Sequence, residues 1–303
     1  MKAAIYFNEL QPLLYGYYIC KGVIFLHRKI SAAVFTVLTA MFMCGCTSDK
    51  NTVGQSAGHN DRGGVTPAET AFLMDGKEKV CYGQGYKTDS DNRPVGAIQA
   101  QEKYGSYGGR FIFGKDDKTI RLTFDEGYEN GCTGKILDIL KEKKVTATFY
   151  VTLDYVKSSP ELVQRMINEG HEVGNHSCTH PSMPDISDDM VFEEIHGLET
   201  YISDNFGGYK TVTMRPPRGE FSVRTLRIAK NMGYDTVLWS FAYNDWNTDA
   251  QPDRDTAYRR ITSATHNGAV YLLHAVSETN TAILPDVIDY WLDNGYTVKS
   301  ISG

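Results

Sequence analysis

Thr119-Ile120-Arg121-Leu122-Thr123-Phe124-Asp125-Glu126-Gly127 decides how the chain folds. Ile120, Leu122 and Phe124 alternate with Thr119, Arg121 and Thr123, the pattern of a strand half-buried on one face. The strand ends in two adjacent carboxylates. Inside a regular strand, Asp125 and Glu126 would point to opposite faces. At a strand exit followed by Gly127, the alternation is expected to break and let both face one pocket. An isolated Asp-Glu-Gly reads equally well as a solvated acidic turn, so the partners downstream decide.

Downstream the pattern repeats. Thr133–Lys143 reads as a helix with Ile136, Leu137 and Leu140 on one face, and Thr146–Thr152 as a strand. Ser159-Pro160 opens a helix that Gly170 closes, and His171–Asn175 is a strand. Ser187 caps a long helix ended by Gly207-Gly208, followed by a strand over Thr211–Met214 and a helix over Ser222–Met232. Asp235–Phe241, Ala269–His274 and Thr297–Ile301 are strands, separated by helices over Asp255–Thr265 and Ala282–Asn294. Seven strands alternating with six helices predict an α/β fold built on a parallel sheet or barrel. No Gly-x-Gly-x-x-Gly follows a strand, which argues against dinucleotide binding.

Upstream the sequence changes character. Arg28 and Lys29 precede an apolar run of 14 residues, Ile30 to Met43, short for a membrane span and suited to a signal segment. The run ends Met43-Cys44-Gly45-Cys46, which resembles a bacterial lipobox with Cys46 as the lipidated residue, so residues 1–46 are expected to be a leader and the mature protein an extracytoplasmic, membrane-anchored lipoprotein or a secreted one. Losing four basic residues and one acidic residue with the leader would take the net charge from −6 to −9. Either value argues against nucleic acid as a partner. Residues 47–70 are Ser-, Thr-, Gly- and Asn-rich and read as a flexible tether. Residues 71–118 carry many Gly and Tyr and little periodicity, which predicts an irregular N-terminal extension ahead of the main domain, 119–303. Cys81, Cys132 and Cys178 make no disulfide framework.

In βα barrels the active site forms at the C-terminal strand ends. This sequence places Asp125 and Glu126, His176 and His180, Arg215 and Arg218, Trp239 and Asp245-Trp246, and His274 at the ends of five of the seven strands. His176 and His180 are four apart. If the segment turns helically, both imidazoles share a face and can grip one divalent cation, with a carboxylate completing three ligands and a position left for water. His pairs also occur in loops without metal.

Thr123-Phe124-Asp125-Glu126-Gly127, His176-Ser177-x-x-His180-Pro181, Arg215-Pro216-Pro217-Arg218-Gly219, Asp245-Trp246 and Leu272-Leu273-His274 stand in the order of the five motifs of polysaccharide deacetylases. The chain therefore resembles the NodB-homology domain, family four of the carbohydrate esterases, over roughly residues 119–301. Glu129-Asn130-Gly131 and Arg215 to Ser222 resemble the delta-lactam-biosynthetic subgroup, which deacetylates muramic acid in spore-cortex peptidoglycan.

The resemblance implies a distorted (β/α)7 barrel and a hydrolase that removes N-acetyl groups from peptidoglycan. N-acetylmuramic acid is the expected target. N-acetylglucosamine in another polymer, or a catalytically impaired glycan-binding lipoprotein, are the alternatives. It implies Asp125 as general base, His274 as general acid, Asp245 as the partner that orients His274, and Arg215 as the group holding Asp125 ionised. Backbone N–H near Arg218 would stabilise the oxyanion, and Leu272, Trp239 and Trp246 would wall the acetyl pocket. It implies a divalent metal, zinc with cobalt or manganese as alternatives, on His176 and His180. Glu126 stands where most of the family has a second, metal-ligating Asp. One methylene longer, it binds directly, reaches through water or points away. Arg218 stands where many relatives have an aromatic residue, a fixed charge suited to the muramic lactyl carboxylate.

Overall fold

The computed structural model describes residues 76–303 and, apart from them, a short antiparallel pair, β1 (Ile19–Cys20) with β2 (Val23–Ile24). The lipobox-like Cys46 and the tether lie outside the described residues.

The 71–118 segment is more regular than its sequence suggests. It contains β3 (Val80–Cys81), the helix α1 (Val95–Tyr104) and β4 (Gly109–Arg110). α1 buries Ala97, Ala100 and Tyr104, mostly small side chains that leave a faint hydrophobic period. β4 pairs in parallel with a strand of the main sheet and so joins it as an eighth strand.

The main domain then alternates as the sequence predicts. β5 (Thr119–Glu126) leads to α2 (Thr133–Lys143), and β6 (Thr148–Val151) to α3 (Leu153–Ser158) and α4 (Pro160–Asn168). β7 (Glu172–Asn175) leads to α5 (Asp188–Asn205) and β8 (Thr213–Met214). β9 (Glu220–Phe221) pairs antiparallel with β3 before α6 (Val223–Asn231). β10 (Asp235–Val237), α7 (Arg254–Ser263), β11 (Ala269–His274), α8 (Glu278–Asp293) and β12 (Thr297–Lys299) complete the chain.

The sheet order is β11-β5-β6-β7-β8-β10-β4, with β12 also on β5 and every pairing parallel. A parallel bridge from Phe241 to Tyr271 links the segment leaving β10 back to β11, so the sheet curls round on itself. The curl buries β5 on both faces rather than the one its alternation suggests. Ile120, Leu122 and Phe124 pack outward with Ile136, Val163 and Trp291 of the helices. Tyr150, Val237 and Val270 form a separate cluster on the inner side.

Candidate active site

Asp125 reaches the cleft because it shares the inner face of β5 with Arg121 and Thr123. Arg215, just past β8, donates from Nη1 to Asp125 Oδ1 at 2.7 Å. The guanidinium is wholly buried. Nε donates to the Val237 carbonyl at 3.1 Å, and the group lies 4.2 Å from the Tyr150 ring centre. Burial alone would raise the Asp125 carboxyl, but the charge of Arg215, with His176 and His274, overrides it and holds the group below the usual range.

His176, just past β7, places Nδ1 2.8 Å from the Arg215 carbonyl oxygen. A carbonyl can only accept, so Nδ1 carries the proton and Nε2 keeps its lone pair, 3.6 Å from Asp125 Oδ2. His180 follows in a turn rather than a helix, with Ser177 at φ 71° and His180 at φ 58°. Local hydrogen bonds hold this conformation. Asn175 Oδ1 accepts from the Ser177 N–H at 2.9 Å, and Ser177 Oγ from the His180 N–H at 3.0 Å. The Glu194 carboxylate accepts from Thr179 N–H at 2.8 Å. The two rings still converge, 5.0 Å between centres. Burial first, then the neighbouring imidazole, lowers His180 to about 4, and burial lowers His176, so both are neutral at pH 7 as metal ligands must be.

Glu126 does not join them. β5 runs regularly through Glu126, which pairs with Val151, and Gly127 follows without a positive φ. The two-residue period therefore sends Glu126 outward with Leu122 and Phe124. Both carboxyl oxygens lie 3.4 Å from Thr133 Oγ1 of α2, and the side chain is fully buried. Burial, then the charge of Glu129, pushes its carboxyl well above the usual range. Among the described residues no group of three or more His, Cys, Asp or Glu is arranged to hold a metal ion. What the chain offers a cation is the pair of neutral imidazoles, His176 and His180, with Asp125 Oδ2 3.6 Å from His176 Nε2, and not Glu126.

Beside Asp125, on the neighbouring strand, His274 ends β11. Its Nδ1 lies 2.7 Å from Asp245 Oδ1, so Nδ1–H donates, and its backbone N–H donates to Oδ2 at 2.9 Å. Burial would lower the imidazole, but the hydrogen bond and charge of Asp245 raise it above the ordinary value. Asp245 is itself buried.

Arg218, at φ 62°, Trp239, Leu272 and the half-exposed Trp246 all line the same cleft of about 1430 Å³. Gly219, at φ 66°, is required, because a Cβ there would lie 2.6 Å from the Trp239 ring. The extension supplies a wall that its sequence does not announce. Gln84 Oε1 accepts from the Trp239 indole N–H at 2.9 Å, the Tyr82 hydroxyl donates to the Trp239 carbonyl at 2.6 Å, and Tyr86 stands exposed at the rim. The arrangement offers a carboxylate held ionised and an imidazole favoured as the cation, side by side in one cleft, the equipment of acid–base hydrolysis.

The polysaccharide deacetylase family profile matches residues 114–237. An uncharacterized 30.6 kDa protein of Geobacillus stearothermophilus is 42% identical over 218 residues, 72% of this chain and 82% of that protein. The peptidoglycan-N-acetylmuramic acid deacetylase PdaA of Bacillus subtilis is 40% identical over 221 residues, 72% of this chain and 83% of its own length. The solved structure of PdaA, described as a family 4 carbohydrate esterase, superposes with a TM-score of 0.71 at 38% identity, covering 75% of this chain and 96% of that one.

Proposed function

The chain belongs to the polysaccharide deacetylase family, and from that membership we propose that it hydrolyses N-acetyl groups of peptidoglycan, with N-acetylmuramic acid as the sugar deacetylated. The observation that carries this reading is the pair of dyads, Asp125 with Arg215 and His274 with Asp245, set side by side in one cleft.

In this reading Asp125 takes a proton from the water that attacks the acetyl carbonyl carbon. Arg215 keeps Asp125 ionised for that step. His274 gives the proton on Nε2 to the departing nitrogen as the carbon–nitrogen bond breaks, leaving acetate and a free amine. Asp245 holds Nδ1–H and so turns Nε2 into the cleft. His176 and His180 would hold a divalent cation, zinc or alternatively cobalt or manganese, whose chemistry is to acidify water and polarise a carbonyl. Leu272, Trp239 and Trp246 give the acetyl methyl an apolar wall.

Two features favour a muramic polymer. Arg218 and Arg260 both line the cleft and supply positive charge for a lactyl carboxylate. The cleft, at about 1430 Å³, exceeds the roughly 300–1,000 Å³ of small-molecule sites, leaving room for more than one sugar. Anchoring through Cys46 would hold the enzyme at the outer membrane face, where peptidoglycan lies. Fractionation of wild type against Cys46→Ala tests this, and a wild type found wholly in the soluble fraction refutes it.

The deciding experiment is acetate release from purified peptidoglycan, with and without chelator, followed by mass analysis of the sugars. Acetate with de-N-acetylated muramic acid is expected. Acetate matched only by free glucosamine would overturn the sugar assignment, and no acetate would overturn the function.

A further inference from the structure

Asp245 cannot hold His274 unless something holds Asp245. Its Oδ2 accepts from the side-chain amide of Asn280 at 2.5 Å as well as from the His274 backbone, so the carboxylate meets three donors. A carboxylate only accepts, so the Asn280 nitrogen must face it, which turns Oδ1 of Asn280 the other way. There it meets the Tyr243 hydroxyl, which only a donor geometry satisfies. The two contacts agree on one amide orientation.

Asn280 is well placed to be rigid. It lies in the first turn of α8, and its backbone N–H donates to the cap residue Ser277 at 3.0 Å. Ser277 Oγ–H donates to Gln251 Oε1 at 2.5 Å, and the Gln251 amide donates to the Asp245 carbonyl at 2.7 Å. The backbone and side chain of Asp245 are thus both tied to the start of α8. Asn280 is buried and does not line the cleft.

We propose that Asn280 is a positioning residue of the deacetylation reaction, whose amide, oriented by Tyr243, locks the Asp245 carboxylate so that His274 presents Nε2–H to the leaving nitrogen. The proposal rests on the deacetylase reading. An amide is required here because it donates to one neighbour and accepts from the other. A carboxylate of the same shape would face Asp245 with like charge and no donor.

The test compares Asn280→Ala, Asn280→Asp and Tyr243→Phe in the full chain. Acetate-release kinetics on peptidoglycan, thermal melting, and the downfield proton NMR signal of the His274 Nδ1–H are measured for each. Loss of such an outer partner typically costs about 10- to 100-fold. We expect kcat to fall by that much in Asn280→Ala with KM unchanged, further in Asn280→Asp although it is isosteric, and least in Tyr243→Phe. The Nδ1–H signal should shift or broaden in the same order. Wild-type kcat and an unshifted signal in Asn280→Asp would overturn the proposal, as would losses that follow melting temperature alone. If wild type releases no acetate, the deacetylase reading fails, while the NMR signal still reports whether Asn280 orders the dyad.

Discussion

Asp125 and His274 are direct register partners on the neighbouring parallel strands β5 and β11. One peptide register thus brings two oppositely acting groups to the same sheet edge. Each is tuned by its own partner, Arg215 on one side and Asp245 on the other. The two also favour each other's charged form, so the carboxylate is lowered and the imidazole raised, which lets a base and an acid coexist at one pH.

It follows that Asp125→Asn and His274→Ala should each cost about 100- to 10,000-fold in acetate release, the usual range for a positioned acid or base. Melting temperature should stay near that of wild type, because both side chains border the cleft. Turnover within a few-fold of wild type in either variant would contradict the assigned roles.

Glu126 gives a sharper test, because sequence and structure disagree about it. Its fully buried carboxyl faces Thr133 of α2, not the His pair. Glu126→Gln keeps the shape and removes only a charge that burial disfavours. Zinc affinity by calorimetry and acetate release should both stay within a few-fold of wild type, whereas His176→Ala should lose zinc affinity. A large loss of affinity in Glu126→Gln would restore it as a ligand.

Glu126 shows where the sequence is legible and where it is not. Strand and helix positions follow from periodicity and caps, and Asp125, His176, Arg215 and His274 sit at or just past strand ends, where the barrel rule expects them. What failed was local. Gly127 suggested a broken strand, yet the ladder to Val151 continues, and a ladder enforces alternation. The His pair converges through a turn with two positive φ angles, which spacing alone does not encode. Asn280, Gln84 and Tyr86 carried no signal, since an amide or an exposed tyrosine far along the chain looks ordinary until the fold brings it in.

Stability should fall in mild acid. Burial lowers His171 from its usual 6.5 to about 4. Its Nδ1 accepts from the Ala147 N–H, and among the described residues its Nε2 has no partner. The unfolded chain binds a proton below pH 6.5 that the native fold refuses until about 4. The stability from His171 is therefore full above 6.5 and is lost as pH falls towards 4. His171→Gln retains an acceptor and does not titrate, so its urea midpoint should fall less steeply across that window, by about one proton's worth. Parallel pH curves for the two proteins would show that His171 is not the group responsible.

The rim bears on the length of glycan the enzyme takes. Four aromatic side chains among the described residues stand largely exposed, Tyr86, Tyr128, Phe192 and Trp246, and three of them, all but Phe192, line the one cleft. Isolated exposed aromatics need no explanation, but clustering at a site does. A pyranose ring has an apolar C–H face that suits an aromatic plane, while its hydroxyls stay in water. Tyr86 comes from the extension, and Gln84 two residues earlier is pinned by Trp239 and by the Ala242 carbonyl at 2.9 Å, so the platform is anchored to the catalytic wall. Sugars beyond the one deacetylated would reach Tyr86, whereas the reacting sugar would not need it. Tyr86→Ala should therefore raise KM several-fold on long glycan strands and leave kcat on them nearly unchanged, with little effect on a disaccharide. Tyr86→Trp should restore the lower KM. Equal effects on long and short substrates would place Tyr86 outside the glycan path, and the gain in affinity with chain length would then have to come from Tyr128 and Trp246 alone.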